Sequence, residues 1–318
     1  MDIQLANETA RRITDELGKV IVGQREALEQ ITVAFLARGH ALLEGVPGTA
    51  KTLMVRALSH LTGASFRRVQ FTPDLMPSDI LGVNIYNTAS GEFVFRPGPI
   101  FADVVLGDEI NRAPAKTQSA LLEAMEEGQV TVDGVTHAMS RVFTVFATQN
   151  PVEFEGTYPL PEAQVDRFML KIAIGYPAEG VEDAILDKVE AGFDSAHLTS
   201  AGVEKVLDLE TLADLRRTVR GIRVEESVRR YVTRIVRATR TMRQVSLGAS
   251  PRAAVMLMLA AKAQAVVAGR EFVTPDDVKA MAAPTLRHRL ILHPEVEIEG
   301  QTPDECLNEL LLGIEVPR

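Results

Sequence analysis

A run of eight residues in the first third of the chain has the composition of a phosphate-binding loop. It consists of Gly45, Val46, Pro47, Gly48, Thr49, Ala50, Lys51 and Thr52. Gly45 and Gly48 let the backbone turn so that its amide N–H groups point at phosphate oxygens, and the start of a following helix adds a positive end. Lys51 would then contact the β- and γ-phosphates, and the Thr52 hydroxyl would bind Mg²⁺.

Ala50 departs from the generic form of this loop, which has a glycine before the lysine. The position lies at the entrance of a predicted helix. A right-handed backbone should suffice there, so we expect the alanine methyl group to be tolerated.

A second motif places two carboxylates at the end of an apolar run. Val104–Gly107 is followed by Asp108 and Glu109, and ligands of open α/β sheets bind beyond the carboxyl ends of the strands. Asp108 would hold Mg²⁺, mainly through its water shell. Glu109 would orient the attacking water or accept its proton. The two motifs together predict that the chain binds ATP with Mg²⁺ and hydrolyses it.

The rest of the first half predicts a scaffold that brings these motifs together. Short apolar runs that do not alternate are typical of buried parallel strands. They occur at Ala41–Glu44, Arg68–Phe71, Asp103–Asp108, Val142–Gln149 and Phe168–Ile174. Helical patterns lie between them, at Lys51–Leu61 and from Pro114 to a stop at Gly128. This alternation predicts an α/β fold with a mostly parallel sheet.

Two segments interrupt the series with strand pairs. Residues 84–95 predict a short pair around a Ala-Ser-Gly turn, and residues 130–138 predict a hairpin whose Asp133-Gly134 dipeptide suits a type I′ turn. They are either decoration or protruding elements that respond to the nucleotide.

The second half of the chain predicts helices almost throughout. Helical patterns recur at 179–191, 203–219, 225–243, 252–268 and 275–286. We therefore predict an α/β core over residues 1–190 and a smaller helical lid over 191–318. Within the lid, residues 216–243 contain ten arginines and two glutamates, which favours a solvated face or a subunit contact over a nucleic-acid site, because the run has a single aromatic residue, Tyr231, and no series of aromatics for base stacking.

Composition excludes several classes of protein. The 318 residues carry a net charge of −9, which argues against general binding of nucleic acid or anionic membranes. The lone Cys306 leaves no partner for an internal disulfide. The sequence contains neither an apolar run of about 18 residues nor a secretory signal, so we expect a soluble cytoplasmic protein that does not span a membrane.

Several motifs taken together resemble those of the MoxR-type AAA+ ATPases. They are Gly45–Thr52, Asp108–Arg112, Ala147–Pro151 and Gln164–Phe168. The resemblance extends from Val20–Gln24 to Ser250–Ala253, which is most of the chain. Alanine before the loop lysine is a habit of that family. The resemblance implies a P-loop AAA+ core followed by an all-α lid.

The resemblance also implies roles for residues outside the two motifs. Asn150 would be sensor 1, which orients water and detects the γ-phosphate. Arg167 would be an arginine finger presented to the γ-phosphate of a neighbouring subunit. Arg252 would be sensor 2, contacting the phosphate of its own chain. Val22 and Gly23 would lie near the adenine.

At the level of function, the resemblance implies a homo-oligomeric ring, expected to be a hexamer, that remodels or activates partner proteins. Residues 84–95 would be a helix-2 insert and residues 130–138 a pre-sensor hairpin, both near the pore or the client face. A von Willebrand-type domain protein would be a separately encoded partner. Two alternatives stay open: a DNA- or transcription-linked ring ATPase or magnesium-chelatase-like motor, and an ATP-gated scaffold.

Overall fold

The computed structural model of the chain describes residues 1–150, 158–195, 197–198 and 202–317. The first half contains these elements in chain order: α1 (Ile3–Val20), α2 (Arg25–Leu36), β1 (Ala41–Glu44), α3 (Lys51–Thr62), β2 (Phe66–Gln70), α4 (Pro77–Leu81), β3 (Gly82–Asn87), β4 (Glu92–Pro97), β5 (Val104–Asp108), α5 (Ala115–Glu127), β6 (Gln129–Val132), β7 (Val135–Ala138), β8 (Thr144–Gln149), α6 (Glu162–Val165), β9 (Leu170–Ala173) and α7 (Val181–Glu190). The remainder contains α8 (Leu209–Gly221), α9 (Glu226–Ala238), β10 (Val245–Leu247), α10 (Pro251–Val267), α11 (Pro275–Leu286), β11 (Ile291–Leu292), α12 (Pro294–Ile298) and α13 (Pro303–Gly313).

The central sheet has the strand order β2-β5-β8-β1-β9, and every pairing in it is parallel. This confirms the five predicted strands, with ends that differ by at most two residues. β1, β5 and β8 are buried along nearly their whole length, as covered parallel strands require. Because the strands are parallel, the segments that follow β1, β5 and β8 meet at one edge of the sheet.

Helix boundaries follow local signals in the core. α3 and α5 both end before a glycine in the left-handed region, Gly63 with φ 62° and Gly128 with φ 63°, where a residue without a Cβ is favoured. In the second half, α8 begins at Leu209, so the helix predicted from residue 203 is too long at its start. Asp208 explains the difference, because its side chain accepts a hydrogen bond from the Thr211 N–H at 2.8 Å and caps the helix there.

Both predicted strand pairs are present. β3 and β4 form one antiparallel hairpin, and β6 and β7 form another. Asp133 and Gly134 both have positive φ, 49° and 82°, as a type I′ turn requires. The β3–β4 hairpin follows the single-turn helix α4, and the chain then returns to β5. The second half also contains a strand pair, β10 with β11, which the helical patterns did not predict.

The hydrophobic core is continuous between the sheet and the helical second half. One cluster of buried residues includes α1, β1, α8, α10 and α13. Asn7 on α1 donates hydrogen bonds to the carbonyls of Val266 and Val267 at the end of α10, at 3.0 and 2.7 Å. The division predicted at residues 190 and 191 falls between α7 and α8, and it stays a prediction because the two parts share this core.

Arg216 corrects part of the interpretation of the arginine-rich run. Its guanidinium is buried, donates to the Phe35 carbonyl and the Thr144 hydroxyl at 3.0 Å each, and lies 4.8 Å from the centre of the Phe35 ring. Arg216 therefore attaches α8 to the core and does not belong to a solvated face. Arg229, Arg230, Arg234 and Arg237 on α9 line an open surface groove.

Within the described residues, no helix combines the length and the apolar character that crossing a membrane requires.

His40, the residue before β1, forms contacts through both of its ring nitrogens. Its Nδ1 accepts a hydrogen bond from the Val145 N–H at 2.9 Å, and its Nε2 faces the Met125 carbonyl at 3.2 Å. Burial is the main cause that lowers the pKa of His40 to about 4; the Met125 carbonyl opposes this shift and the charge of Arg216 adds to it. The pKa of His288 also lies well below its ordinary value, first because burial disfavours the charged ring and then because of the charge of Arg289.

This shift predicts acid sensitivity. A histidine in the unfolded chain titrates near pH 6.5, so between about pH 6.5 and pH 4 the unfolded state binds a proton that folded His40 does not. The free energy of unfolding should therefore fall as the pH is lowered through that window, by roughly 3 kcal/mol from His40. Urea denaturation at about pH 7 and about pH 4.5 measures the loss. His40→Gln should show a smaller loss than the parent chain; an equal loss would contradict the prediction.

Candidate nucleotide-binding site

A cavity of about 500 Å³ lies at the carboxyl edge of the sheet. It is lined by residues from the loop after β1, the start of α3, the ends of β5 and β8, and the segment after α7: Pro47, Gly48, Thr49, Ala50, Lys51, Thr52, Leu53, Arg56, Asp108, Glu109, Thr148, Gln149, Asn150 and Ser195. Most of the residues that the two motifs predicted are thus brought together.

The loop between β1 and α3 has little room at its first glycine. A Cβ on Gly45 would lie 2.3 Å from the Ile174 carbonyl oxygen, so a side chain there would force the strand ends apart. Gly48 adopts φ 86° and faces open space. Gly45 is thus required by a close approach and Gly48 by its backbone conformation.

The structure corrects the expectation for Ala50. Its backbone is left-handed, with φ 61° and ψ 17°, rather than right-handed. The residue immediately precedes α3, where the chain has not yet adopted helical dihedral angles. A left-handed conformation is unfavourable by roughly 1–2 kcal/mol for a residue with a Cβ. Among the residues that the structure describes, Glu109 is the second non-glycine residue with positive φ on this cavity, with φ 56°.

Lys51 lies folded over the loop. Its ammonium group donates to the carbonyls of Gly45 and Val46 at 2.7 Å each, and to the Thr49 hydroxyl at 3.3 Å. Partial burial lowers the pKa of Lys51, and the nearby negative charges of Asp108 and Glu109 oppose that shift. The ammonium therefore stands inside the ring of backbone groups that the loop forms.

Asp108 is held on both carboxylate oxygens. It is 8% exposed. Its Oδ2 accepts hydrogen bonds from Arg68 Nε at 2.9 Å and Nη2 at 2.6 Å, and its Oδ1 accepts one from the Thr148 hydroxyl. Arg68 lies on β2 and Thr148 on β8, the two strands that flank β5, so neighbouring strands fix the carboxylate from either side.

Glu109 is oriented by a separate set of contacts. Its Oε2 accepts hydrogen bonds from Gln70 Nε2 at 2.7 Å and from Arg112 Nη1 at 3.0 Å. Its backbone N–H donates to the Thr148 hydroxyl oxygen at 2.8 Å. One hydroxyl group, that of Thr148, thus links the backbone of Glu109 to the side chain of Asp108.

Arg68, Gln70 and Thr148 were not predicted as site residues. β2 pairs with β5 so that Gln70 lies beside Asp108, and Thr148 is a polar residue near the end of an otherwise apolar strand. A polar residue near the end of the strand is the signal that could have indicated Gln70 and Thr148, whereas Arg68 lies in the middle of β2 and has no such signal. The register that makes them neighbours of the carboxylates is a tertiary property.

Of the remaining predicted residues, Asn150 lines the cavity, whereas Val22 and Gly23 do not. Asn150 is buried and lines it, whereas Pro151 of the same motif lies outside the described residues. Val22 and Gly23 are not among the lining residues of that cavity. Gly23 lies against Val181 at the start of α7, and Gln24 Nε2 donates to the Gly175 carbonyl at 3.0 Å, close to the segment that touches Gly45.

Arg167 and Arg252 lie at the opposite edge of the sheet. Both form ion pairs with Glu126 near the end of α5, at 2.9 and 3.1 Å. They line a cavity of about 440 Å³ with His40, which precedes β1, and Phe143, which precedes β8. This is the amino edge of a parallel sheet, and the phosphate loop is at the carboxyl edge.

The position of Arg252 differs from what the resemblance implied, which was a contact with the phosphate of its own chain. α10 packs against α1 and α2, and this packing carries its first turn to the amino edge, beside Arg167. The structure therefore groups Arg252 with Arg167 and not with Lys51.

Comparisons with known proteins agree with this architecture. Residues 40–170 match the model of the ATPase family associated with various cellular activities (AAA), and residues 237–310 match an AAA lid domain. The chain resembles the crystal structure of a protein from Cytophaga hutchinsonii, with a TM-score of 0.90 and 40% identity, covering 99% of this chain and 97% of that one.

Two curated relatives are similar over nearly the whole chain. The protein YeaC of Bacillus subtilis is 48% identical over 96% of this chain and 94% of its own length. Chaperone MoxR1 of Mycobacterium tuberculosis is 42% identical over 98% of this chain and 83% of its own length. An α/β core with a phosphate loop, a helical lid and these relatives lead to one conclusion. The chain belongs to the MoxR family of AAA+ ATPases and is an ATP hydrolase.

Proposed function

We propose that this ATPase assembles as a ring in which each ATP is hydrolysed between two subunits, and that the ring remodels or activates partner proteins. The observation that carries the proposal is the separation of the charged groups. Lys51, Asp108 and Glu109 lie at one edge of the sheet, and Arg167 and Arg252 lie at the other. Two copies stacked edge to edge would complete a site that one copy holds only in part.

In this proposal, each side of the interface has its own task. Gly45–Thr52 binds the triphosphate through backbone N–H groups and the Lys51 ammonium. Glu109 orients the attacking water and accepts its proton. Asn150 positions that water through its amide, which can donate and accept together.

The neighbouring subunit supplies two arginines. Arg167 stabilises the charge on the phosphoryl oxygens, and Arg252 beside it is a second group that acts across the interface. Val22 and Gly23 remain candidates for the adenine contact.

The residues at the cavity fit Mg²⁺ as the ion that accompanies ATP. Thr52 and Asp108 line the same cavity and present hard oxygen atoms, which Mg²⁺ prefers. Thr52 and Asp108 would be the protein groups that hold the ion, Asp108 mainly through the water shell that Mg²⁺ retains. When bound, Mg²⁺ would neutralise charge on the phosphate oxygens.

Thr148 gives a specific prediction for this site. Thr148→Val removes the hydroxyl that donates to Asp108 and accepts from the Glu109 N–H, while it keeps the side-chain shape. We expect kcat for ATP hydrolysis to fall about 10- to 100-fold, in the range seen when groups that orient a metal ligand are removed. Thr148→Ser retains the hydroxyl and should retain most of the turnover. If Thr148→Val and Thr148→Ser have the same kcat, the hydroxyl does not position the carboxylates.

Assembly can be tested through the concentration dependence of the activity. If the site needs two subunits, ATP turnover per subunit should rise about tenfold or more as dilute monomers assemble. Mass photometry on the same samples reports the oligomer, which we expect to be a hexamer. Turnover per subunit that is constant from the monomeric to the assembled range would contradict a shared site.

Two hairpins provide a surface for partner proteins in this proposal. Asn84 Nδ2 donates to Asp133 Oδ2 at 2.7 Å, and Phe95 stacks on His137 with ring centres 3.9 Å apart, so the β3–β4 and β6–β7 hairpins form one unit. Tyr86 and Phe93 are exposed on it. The name of the relative Chaperone MoxR1 agrees with protein clients, and a von Willebrand-type domain protein is the partner that we expect.

A scaffold that needs only bound ATP is the alternative to a motor. The variant Glu109→Gln distinguishes the scaffold from the motor, because it should bind ATP without hydrolysing it. Activation of a client by the ATP-bound variant would support a scaffold, whereas loss of activation together with hydrolysis would support remodelling.

A further inference from the structure

Arg289, in the short segment between α11 and β11, has a buried guanidinium that forms hydrogen bonds with the segment containing Arg167. Its Nε donates to Asp166 Oδ1 at 2.6 Å, and its Nη2 donates to the carbonyls of Asp166 and Phe168 at 2.9 and 2.7 Å. Its Nη1 lies 3.3 Å from the Met169 carbonyl. Arg289 is 7% exposed. The lid thus binds the backbone on both sides of Arg167.

Two further side chains of the lid contact the same segment. The Ser250 hydroxyl donates to Asp166 Oδ2 at 3.1 Å, and His288 Nε2 lies 3.0 Å from the Phe168 carbonyl. Ser250 is the residue that precedes α10, so the same turn that carries Arg252 also holds Asp166. Both carboxylate oxygens of Asp166 are therefore occupied by the lid.

Arg167 itself stays available at the surface while its neighbours are fixed. Its side chain is 26% exposed and pairs with Glu126 of α5, not with the lid. The lid thus fixes the backbone on either side of Arg167, whereas the guanidinium contacts Glu126 and is partly exposed. Such a division suits a group that must reach a reacting phosphate in another molecule within a small tolerance.

We propose that Arg289 is a positioning residue for Arg167, so that the lid of one subunit sets the arginine that acts on the ATP of the next subunit. The inference rests on the proposed function, since it requires Arg167 to act across the interface. A movement of the lid would be transmitted to the neighbouring site through the Arg289–Asp166 contacts. Nucleotide binding in one subunit would thereby affect hydrolysis in another.

The chemistry of arginine is well matched to this task. A planar guanidinium has five N–H donors in a fixed fork, and it can bind a carboxylate and several carbonyls at once. Lysine has a single ammonium that cannot reproduce this fork. Arg289→Lys therefore keeps the charge and loses the geometry.

A simpler view is that Arg289 only stabilises the lid, and mixed rings can separate the two. A subunit with Glu109→Gln cannot hydrolyse its own ATP but still supplies Arg167. A subunit with Arg167→Ala keeps Glu109 but needs an arginine from its neighbour. In a mixture of the two, hydrolysis takes place only where the first subunit supplies its arginine to the second.

Arg289→Lys is then introduced on either side of that interface. In mixture one it is combined with Glu109→Gln, the subunit that supplies Arg167; in mixture two it is combined with Arg167→Ala. We expect the recovered kcat to be about tenfold lower in mixture one than in mixture two, because a small displacement of a catalytic group is that costly. The KM for ATP should agree within about twofold, since the ATP lies on the Arg167→Ala subunit in both.

Control variants make each outcome decisive. Arg270 forms an ion pair with the buried Asp277 inside the lid, so Arg270→Lys perturbs the lid without touching the segment of Arg167 and should give the same kcat on either side. Asp166→Asn weakens the Arg289 contact from its other end and should reproduce the asymmetry. If circular dichroism and mass photometry show that Arg289→Lys does not fold or assemble, Asp166→Asn takes its place in the two mixtures.

The possible results separate the two proposals. Equal kcat values in the two mixtures, in rings that assemble normally, would overturn the role of Arg289 while the shared site stands. If the mixture of Glu109→Gln and Arg167→Ala recovers no activity at any ratio, the shared site itself is contradicted.

Discussion

Glu109→Gln should lower kcat for ATP hydrolysis by about 10²–10⁴-fold, the range expected for loss of a positioned base. The amide has nearly the shape of the carboxylate, but it cannot accept a proton from the attacking water. Lys51 and the loop amides, which hold the triphosphate in the proposed site, are unchanged, so ATP should bind with nearly the same affinity. Steady-state phosphate release measures turnover, and isothermal titration with ATP measures binding.

Glu123→Gln is the matched control for that variant. Glu123 is exposed on α5, so the same chemical change there should leave both measurements near those of the parent chain. Unchanged steady-state hydrolysis in Glu109→Gln would remove Glu109 from its assigned role. A loss of ATP binding equal to the loss of turnover would show instead that Glu109 acts in binding the nucleotide.

Arg167→Ala should lower turnover by roughly 10³–10⁵-fold, the effect of removing an arginine finger. The reason lies in its position at the edge of the sheet opposite the phosphate loop, beside Glu126. ATP binding by the isolated subunit should therefore be unaffected, because that subunit's own cavity does not contain Arg167. Turnover of the assembled protein and ATP binding at low protein concentration test the two halves of this prediction.

Arg217→Ala is the corresponding control, because Arg217 is 74% exposed and pairs with Asp214 on α8. It should retain turnover. Adding Glu109→Gln subunits to Arg167→Ala subunits should restore hydrolysis, with a maximum at intermediate ratios. Restoration at no ratio would show that Arg167 does not act on a neighbouring subunit.

Much of the nucleotide-binding edge can be predicted from local sequence. Gly45–Thr52 and Asp108-Glu109 each follow an apolar run, and parallel strands carry the residues that follow them to one edge. The type I′ turn at Asp133-Gly134 and the stop of α5 at Gly128 are likewise set by the conformational freedom of single residues. Such features depend on neighbours along the chain, so short windows of sequence contain the information.

Other features depend on contacts between distant segments. Arg68 and Thr148 hold Asp108 because β2 and β8 flank β5 in a particular register, and neither residue belongs to the motif that it completes. The backbone of Ala50 was predicted to be right-handed and is left-handed, because the path of the loop into α3 decides its conformation.

The division of the charged groups between two edges shows the same limit most clearly. The order of residues along the chain is sufficient to indicate a phosphate loop, an acid pair and several arginines. It does not indicate that α10 packs against α1 and α2 and so carries Arg252 away from its own loop, nor that Arg289 closes on the segment of Arg167. Packing of the lid on the core determines these positions, because it is set by side chains more than one hundred residues apart and not by any local pattern.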